Sequence, residues 1–120
     1  MGKQGFPRQE RIRQRVDYQR CFVVGKKKVG SNLILFYRLQ GVGQTRIGVT
    51  VSRKVGNAVR RNRIKRLLRE FYRLHKDLFI LGMDYSFVVR KNCRLDSLAD
   101  VEKEMRYLLP AATIQKVDCC

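Results

Sequence analysis

The stretch Arg46-Ile47-Gly48-Val49-Thr50-Val51-Ser52-Arg53-Lys54-Val55-Gly56-Asn57-Ala58-Val59-Arg60-Arg61-Asn62-Arg63-Ile64-Lys65-Arg66-Leu67-Leu68-Arg69-Glu70 decides the fold. In its first seven residues Ile47, Val49 and Val51 alternate with Arg46, Gly48, Thr50 and Ser52. A period of two marks a strand with one buried face and, here, one small, polar, open face. From Asn57 the period changes. Asn57 suits an N-cap. Ile64, Leu67, Leu68, Phe71, Leu74 and Leu78 then recur at helical spacing and predict one core-facing stripe.

Working outward, Leu33-Ile34-Leu35-Phe36-Tyr37-Arg38-Leu39 is a β-rich run closed by the turn Gly41-Val42-Gly43. Lys26-Lys27-Lys28 reads by default as a solvated loop, and an extra strand around residues 26–31 is the alternative. Earlier still, Asp17 can cap a short helix ending at Gly25, with Tyr18, Cys21 and Phe22 on one face. Downstream, Asp84–Arg90 predicts a third strand. A last helix is expected from Asp96 or Ser97, with Leu98, Val101, Met105 and Leu108 at helical spacing and Pro110 ending or bending it. The order is α-β-β-α-β-α, or α-β-β-β-α-β-α with the extra strand. Such a mixture of short elements predicts an α+β two-layer sandwich: one mostly antiparallel sheet with helices packed on it. Residues 1–10 read as a flexible basic arm, 11–110 as a single domain and 111–120 as a tail.

Length and charge narrow the function. The 120 residues make one domain, and 44% apolar content is too high for a disordered polycation. Lys and Arg number 27 against 10 acids, a net +17, and the imbalance is polarised. Residues 1–76 hold 21 bases and 3 acids, whereas residues 77–120 hold 6 bases and 7 acids. Self-repulsion of this size weakens a compact state, and a polyanionic partner offsets it. Nucleic acid is the leading candidate, ahead of an anionic membrane surface. No apolar run approaches the roughly 18 residues of a membrane span, and no secretory pattern opens the chain. A cytoplasmic location is expected.

One histidine and ten scattered acids argue against a metal or acid/base site of the protein's own. Cys21, Cys93, Cys119 and Cys120 form no CxxC pair, so a structural zinc site has no local frame. A disulfide between the adjacent Cys119 and Cys120 would be strained, and reduced thiols are expected.

The chemistry concentrates opposite the apolar stripe of the central helix. Asn62, Arg66, Arg69, Arg73 and Lys76 form a second stripe with Lys65 on its flank, and Arg60 to Arg73 holds seven bases. A solvated face usually mixes Glu with Lys for i, i+4 pairing. Here Arg dominates, and its planar fork suits phosphate and stacks on bases. Asn62 adds a donor and an acceptor for a sugar or base edge.

Residues 46–70 resemble the signature of the bacterial ribonuclease P protein subunit, with its Arg-Asn-Arg core at Arg61, Asn62 and Arg63. The resemblance extends upstream to Val16-Asp17-Tyr18-Gln19-Arg20-Cys21-Phe22 and covers roughly residues 11–109. It implies a fold with a left-handed β-α-β crossover, an exception to the usual hand. It implies a ribonucleoprotein that removes the 5′ leader of precursor tRNA. In it the catalytic RNA holds the Mg²⁺ ions, the protein supplies no catalytic residue and no protein metal site, and no protein partner is required. Contact with the RNA subunit is then expected from Arg60, Arg61, Asn62, Arg63, Lys65, Arg66, Arg69 and Arg73. A cleft for the single-stranded leader would be lined by Tyr18, Phe22 and Phe36, with Ser52, Arg53 and Lys54 reaching its phosphates. Periodicity alone leaves the three aromatics equally readable as core. Two other classes stand beside this one: a structural RNA-binding protein of the ribosome, and a nuclease using its own acids.

Overall fold

The computed structural model describes residues 10–12, Gln19, 25–39 and 44–119, with side chains described as far as Pro110. Of the helix expected at Asp17–Gly25, only Gln19, in helical conformation, and Gly25 lie among the described residues.

Four strands form one sheet. They are β1 (Lys26–Val29), β2 (Leu33–Leu39), β3 (Arg46–Thr50) and β4 (Met83–Val89). Helix α1 (Ala58–Leu74) joins β3 to β4, and helix α2 (Leu98–Cys119) follows β4. The spatial order is β1-β2-β4-β3. β1 and β2 are antiparallel, as are β2 and β4, while β3 runs parallel to β4. The expected class is thus observed: α+β, with a mostly antiparallel sheet and helices packed on it. The extra strand near residue 26 is β1.

The core lies between the helices and one face of the sheet. Leu33, Leu35 and Tyr37 of β2 stand in register with Val89, Phe87 and Tyr85 of β4, and all six are buried. Strand alternation puts them on one face. Ile64, Leu68, Phe71 and Tyr72 of α1 and Val101, Met105 and Leu108 of α2 pack against it. Tyr72, Phe79 and Tyr85 stack edge to face with centroids 5.0 Å apart at each step. Each such pair adds about 0.5–1.5 kcal/mol beyond the area it buries.

Three expectations are corrected. The apolar stripe of the central helix does not run on to Leu78. The helix stops at Leu74, His75 leaves helical geometry with φ −131°, and a short 3₁₀ turn at Lys76–Leu78 follows. That break turns Leu78 outward and brings Phe79 inward, while Tyr72 fills the core position expected of Leu74. β3 ends at Thr50, so Val51 and Ser52 lie beyond it. The last helix does not end at Pro110 but runs on to Cys119. A proline removes one backbone donor, and the turns before it are held by the burial of Met105, Leu108 and Leu109.

Two glycines are dictated by space and turn geometry. Gly82 has φ +85° in the turn entering β4, a conformation that a side chain disfavours. At Gly30 a Cβ would collide with the Glu104 carboxylate. That carboxylate accepts the backbone N–H groups of Asn32 (2.9 Å) and Leu33 (3.0 Å), tying the β1–β2 turn to α2.

Candidate nucleic-acid interface

Helix α1 separates its two faces sharply. Asn57 caps it, its side chain accepting the Arg60 N–H at 2.9 Å. With Ile64, Leu68, Phe71 and Tyr72 turned inward, Asn62, Arg63, Arg66 and Arg69 are exposed. Asn62, Lys65, Arg66, Arg69, Glu70 and Arg73 line a shallow open groove of about 430 Å³. Arg73 is held by Glu70, Nε to Oε1 at 3.0 Å, and this hydrogen bond keeps the Glu70 carboxyl below its ordinary range. The side chains of Asn62, Lys65, Arg66 and Arg69 make no hydrogen bond or ion pair among the described residues.

The three arginines nearest the helix start are tethered. Arg60 donates to the carbonyls of Leu95 and Cys93, both at 3.1 Å, and is only 30% exposed. Arg61 Nε donates to the Gly56 carbonyl at 3.2 Å. Arg63 donates to the Asp96 carbonyl at 2.6 Å and approaches its carboxylate at 3.3 Å. The expected contact set therefore divides in two. Arg60, Arg61 and Arg63 knit α1 to its neighbouring loops and Arg73 is held by Glu70, whereas Asn62, Lys65, Arg66 and Arg69 turn uncommitted groups outward. The loop 93–96 also shelters Cys93, whose thiol is pushed up chiefly by burial.

The second face of the sheet carries a different surface. In register across it stand Lys27 of β1, Phe36 of β2, Ser86 of β4 and Gly48 of β3. Phe36 is half-buried, Ser86 and Gly48 are buried, and Ser86 Oγ has no hydrogen-bond partner among the described residues. Along β3, alternation puts Thr50 on the face of Gly48, and Thr50 and Ser52 are both exposed. Arg53 and Lys54, also exposed, open the 3₁₀ turn Arg53–Val55. Phe36 thus sits on the face that leads along β3 toward Ser52, Arg53 and Lys54, not on the face of the main core. Tyr18 and Phe22 lie outside the described residues.

Three polar features escaped the sequence reading. They are the Arg38–Asp84–Arg46 cluster, the Asp96 clasp on Arg63, and Glu104 under the β1–β2 turn. Each joins residues more than thirty positions apart, so no local spacing could have revealed it. Among the described residues no three His, Cys, Asp or Glu side chains converge to hold a metal ion. No helix among them is long and apolar enough to cross a membrane.

The fold and this surface define a small basic α+β domain whose central helix carries an exposed row of arginines on its outer face. Comparison with known proteins makes the class specific. The family model described as Ribonuclease P matches residues 6–113. The ribonuclease P protein component of Syntrophus aciditrophicus (strain SB) is 38% identical over 109 residues, covering 91% of this chain and 92% of that one. The solved ribonuclease P protein of Staphylococcus aureus superposes with a TM-score of 0.76 at 29% identity, over 86% of this chain and 94% of that one. That of Thermotoga maritima gives 0.72 at 33% identity, over 80% and 91%. The chain belongs to the ribonuclease P protein-component family. Membership makes it part of a tRNA-processing endoribonuclease and implies an RNA partner.

Proposed function

We propose that this chain binds the catalytic RNA of ribonuclease P through α1 and holds the 5′ leader of precursor tRNA against the Phe36 face of the sheet. In doing so it assists Mg²⁺-dependent removal of the leader. The observation that carries the reading is the outward row of Asn62, Lys65, Arg66 and Arg69, whose polar groups have no partner among the described residues. Arginine forks with unspent donors match phosphate oxygens in charge and geometry. Arg60 and Arg63 support that row by fixing the helix start against the loop at Cys93–Asp96, and Arg61 by bonding the Gly56 carbonyl, so the outward groups are presented from a tethered helix start.

The leader side follows from a different chemistry. A leader of variable sequence calls for contacts that ignore base identity. Aromatic faces and phosphate donors meet that need, because every base has a π-face and every nucleotide a phosphate. Phe36 supplies one such face, Ser52, Arg53 and Lys54 the donors, and Tyr18 and Phe22 complete the proposed lining. No carboxylate or histidine of the chain is assigned a catalytic role. In this reading Mg²⁺ belongs to the RNA partner and substrate, where it would activate water for phosphodiester hydrolysis. The protein's work is to bind, orient and screen phosphate charge, in the cytoplasm and without a further protein subunit.

The test is reconstitution. The chain, a bacterial catalytic RNA and a leader-bearing precursor tRNA are combined at low Mg²⁺. Cleavage at the mature 5′ end that requires both RNA and protein is the expected result. Cleavage by the protein alone, or no stimulation of the RNA, overturns the reading.

A further inference from the structure

A second basic surface lies away from the arginine helix, at the free edge of the sheet where β1 and the β1–β2 turn meet α2. β1 is the edge strand, with Lys27 opposite Phe36 and Lys28 opposite Leu35. Alternation sends these two lysines to opposite faces. Lys27 stands beside Phe36. Lys28 turns to the helix side, its Nζ 4.6 Å from the centroid of the Tyr107 ring, and that ring is 54% exposed. Beside Tyr107 an open hollow of about 660 Å³ is lined by Arg90, Arg94, Lys103, Asp100 and Glu104, among others.

The charges here are not equivalent. Both acids already accept backbone N–H groups. Glu104 is 8% exposed and takes those of Asn32 and Leu33, and Asp100 takes that of Asp96 at 3.0 Å. Arg90 is partly spent on the Gly30 carbonyl at 2.8 Å. Arg94 and Lys103 are exposed, and their side chains make no hydrogen bond or ion pair among the described residues. Glu104 is thus consumed inward and Asp100 has one oxygen committed to the backbone, while the cationic donors of Arg94 and Lys103 and one ring face outward. An exposed ring flanked by cations matches an unstacked nucleotide, with base on ring and phosphate on Arg or Lys.

We propose that the hollow beside Tyr107 is a second site for single-stranded RNA, taking the part of the leader that runs past the Phe36 face. The proposal rests on the leader reading above. Continuity of the surface supports it. Paired strands lie only about 4.8 Å apart, so a strand leaving Phe36 meets Lys27, crosses the edge of β1 and arrives at Lys28 and Tyr107.

The test uses the chain assembled with a catalytic RNA. Three substrates are compared: mature tRNA, precursor with a short leader that ends at the Phe36 face, and precursor with a longer leader that runs past it. The wild type is expected to bind more tightly at each step. Tyr107→Ala, and Arg94→Ala with Lys103→Ala, should lose the last step, a fall of about tenfold, while keeping short-leader affinity and melting temperature. Variants that keep the long-leader gain overturn this site and leave the function above standing. Variants that lose affinity equally for all three substrates also overturn it, since the surface would then meet other RNA. A wild type indifferent to any leader overturns both readings.

Discussion

Arg46 and Asp84 face each other across β3 and β4 as register partners, joined by two hydrogen bonds of 2.8 Å, Nε to Oδ1 and Nη2 to Oδ2. Arg38, the register partner of Asp84 on the other side, reaches the same carboxylate at 3.1 Å. Asp84 is wholly buried. One carboxylate on the central strand thus ties both flanking strands, on the face that carries Phe36. Removing one member of a buried ion cluster leaves the others charged and unpaired, which costs about 3–5 kcal/mol. Asp84→Ala is therefore expected to lose about that much in urea unfolding. A loss below about 1 kcal/mol would mean that solvent or other groups take over the arginines.

Arginines of one helix should fall into two phenotypes. Arg60→Ala removes two charge-assisted bonds to loop carbonyls and should lower stability by about 1–3 kcal/mol. Arg66→Ala with Arg69→Ala should leave the melting temperature unchanged and weaken binding of the RNA partner, whatever the substrate leader. Thermal melts and filter binding on the same samples separate the two. Equal melting losses in both variants would make the outward row structural.

Binding of the RNA partner should depend steeply on salt. Neutralising about six to eight phosphates gives a log–log slope of about −5 to −7. A titration of potassium chloride against affinity measures it. A slope shallower than about −2 would mean that the arginine face is mostly solvated. The double variant Arg66→Ala, Arg69→Ala should flatten the slope by about two.

The Phe36 face has its own test. Phe36→Ala should preserve binding to the catalytic RNA and to mature tRNA, and should weaken leader-bearing precursor by an amount typical of one lost stack, about 1–3 kcal/mol. Because Phe36 is half-buried, urea unfolding is measured beside affinity. Equal weakening with and without a leader would remove Phe36 from the leader surface.

Alkali should unfold the protein through its phenols. Burial raises the phenols of Tyr72 and Tyr85 above their ordinary range, and for Tyr72 the nearby Glu10 carboxylate adds to the effect. The folded state then holds protons that the unfolded chain releases. The stability this contributes is fully present below about pH 10 and is lost as the pH climbs toward the raised values. Absorbance of phenolate and circular dichroism followed together should show these two tyrosines ionising only as the fold is lost. Their ionisation in a native-like fold would contradict the burial.

Much of the architecture is legible in the order of residues, because it follows local rules. A β-rich run marks Leu33–Leu39, a period of two marks Arg46–Thr50, a period near 3.6 marks Ala58–Leu74, and Asn57 announces the helix start. The basic face of that helix is equally legible, since an inward stripe at Ile64, Leu68 and Phe71 requires Asn62, Arg66 and Arg69 to point out. Where the chain turns mattered more than its period at Leu78. The pattern allowed the stripe to continue, and the break at His75 put Phe79 into the core instead. Which arginines are free was decided only by the tertiary structure. Arg60 and Arg66 look alike in the chain, yet Arg60 meets carbonyls at Cys93 and Leu95 while Arg66 meets none among the described residues. The same holds for Asp84 between two arginines and for Lys28 over Tyr107. Local periodicity sets which side of an element faces the core. Pairing between distant residues depends on register and packing, which exist only once the chain has folded.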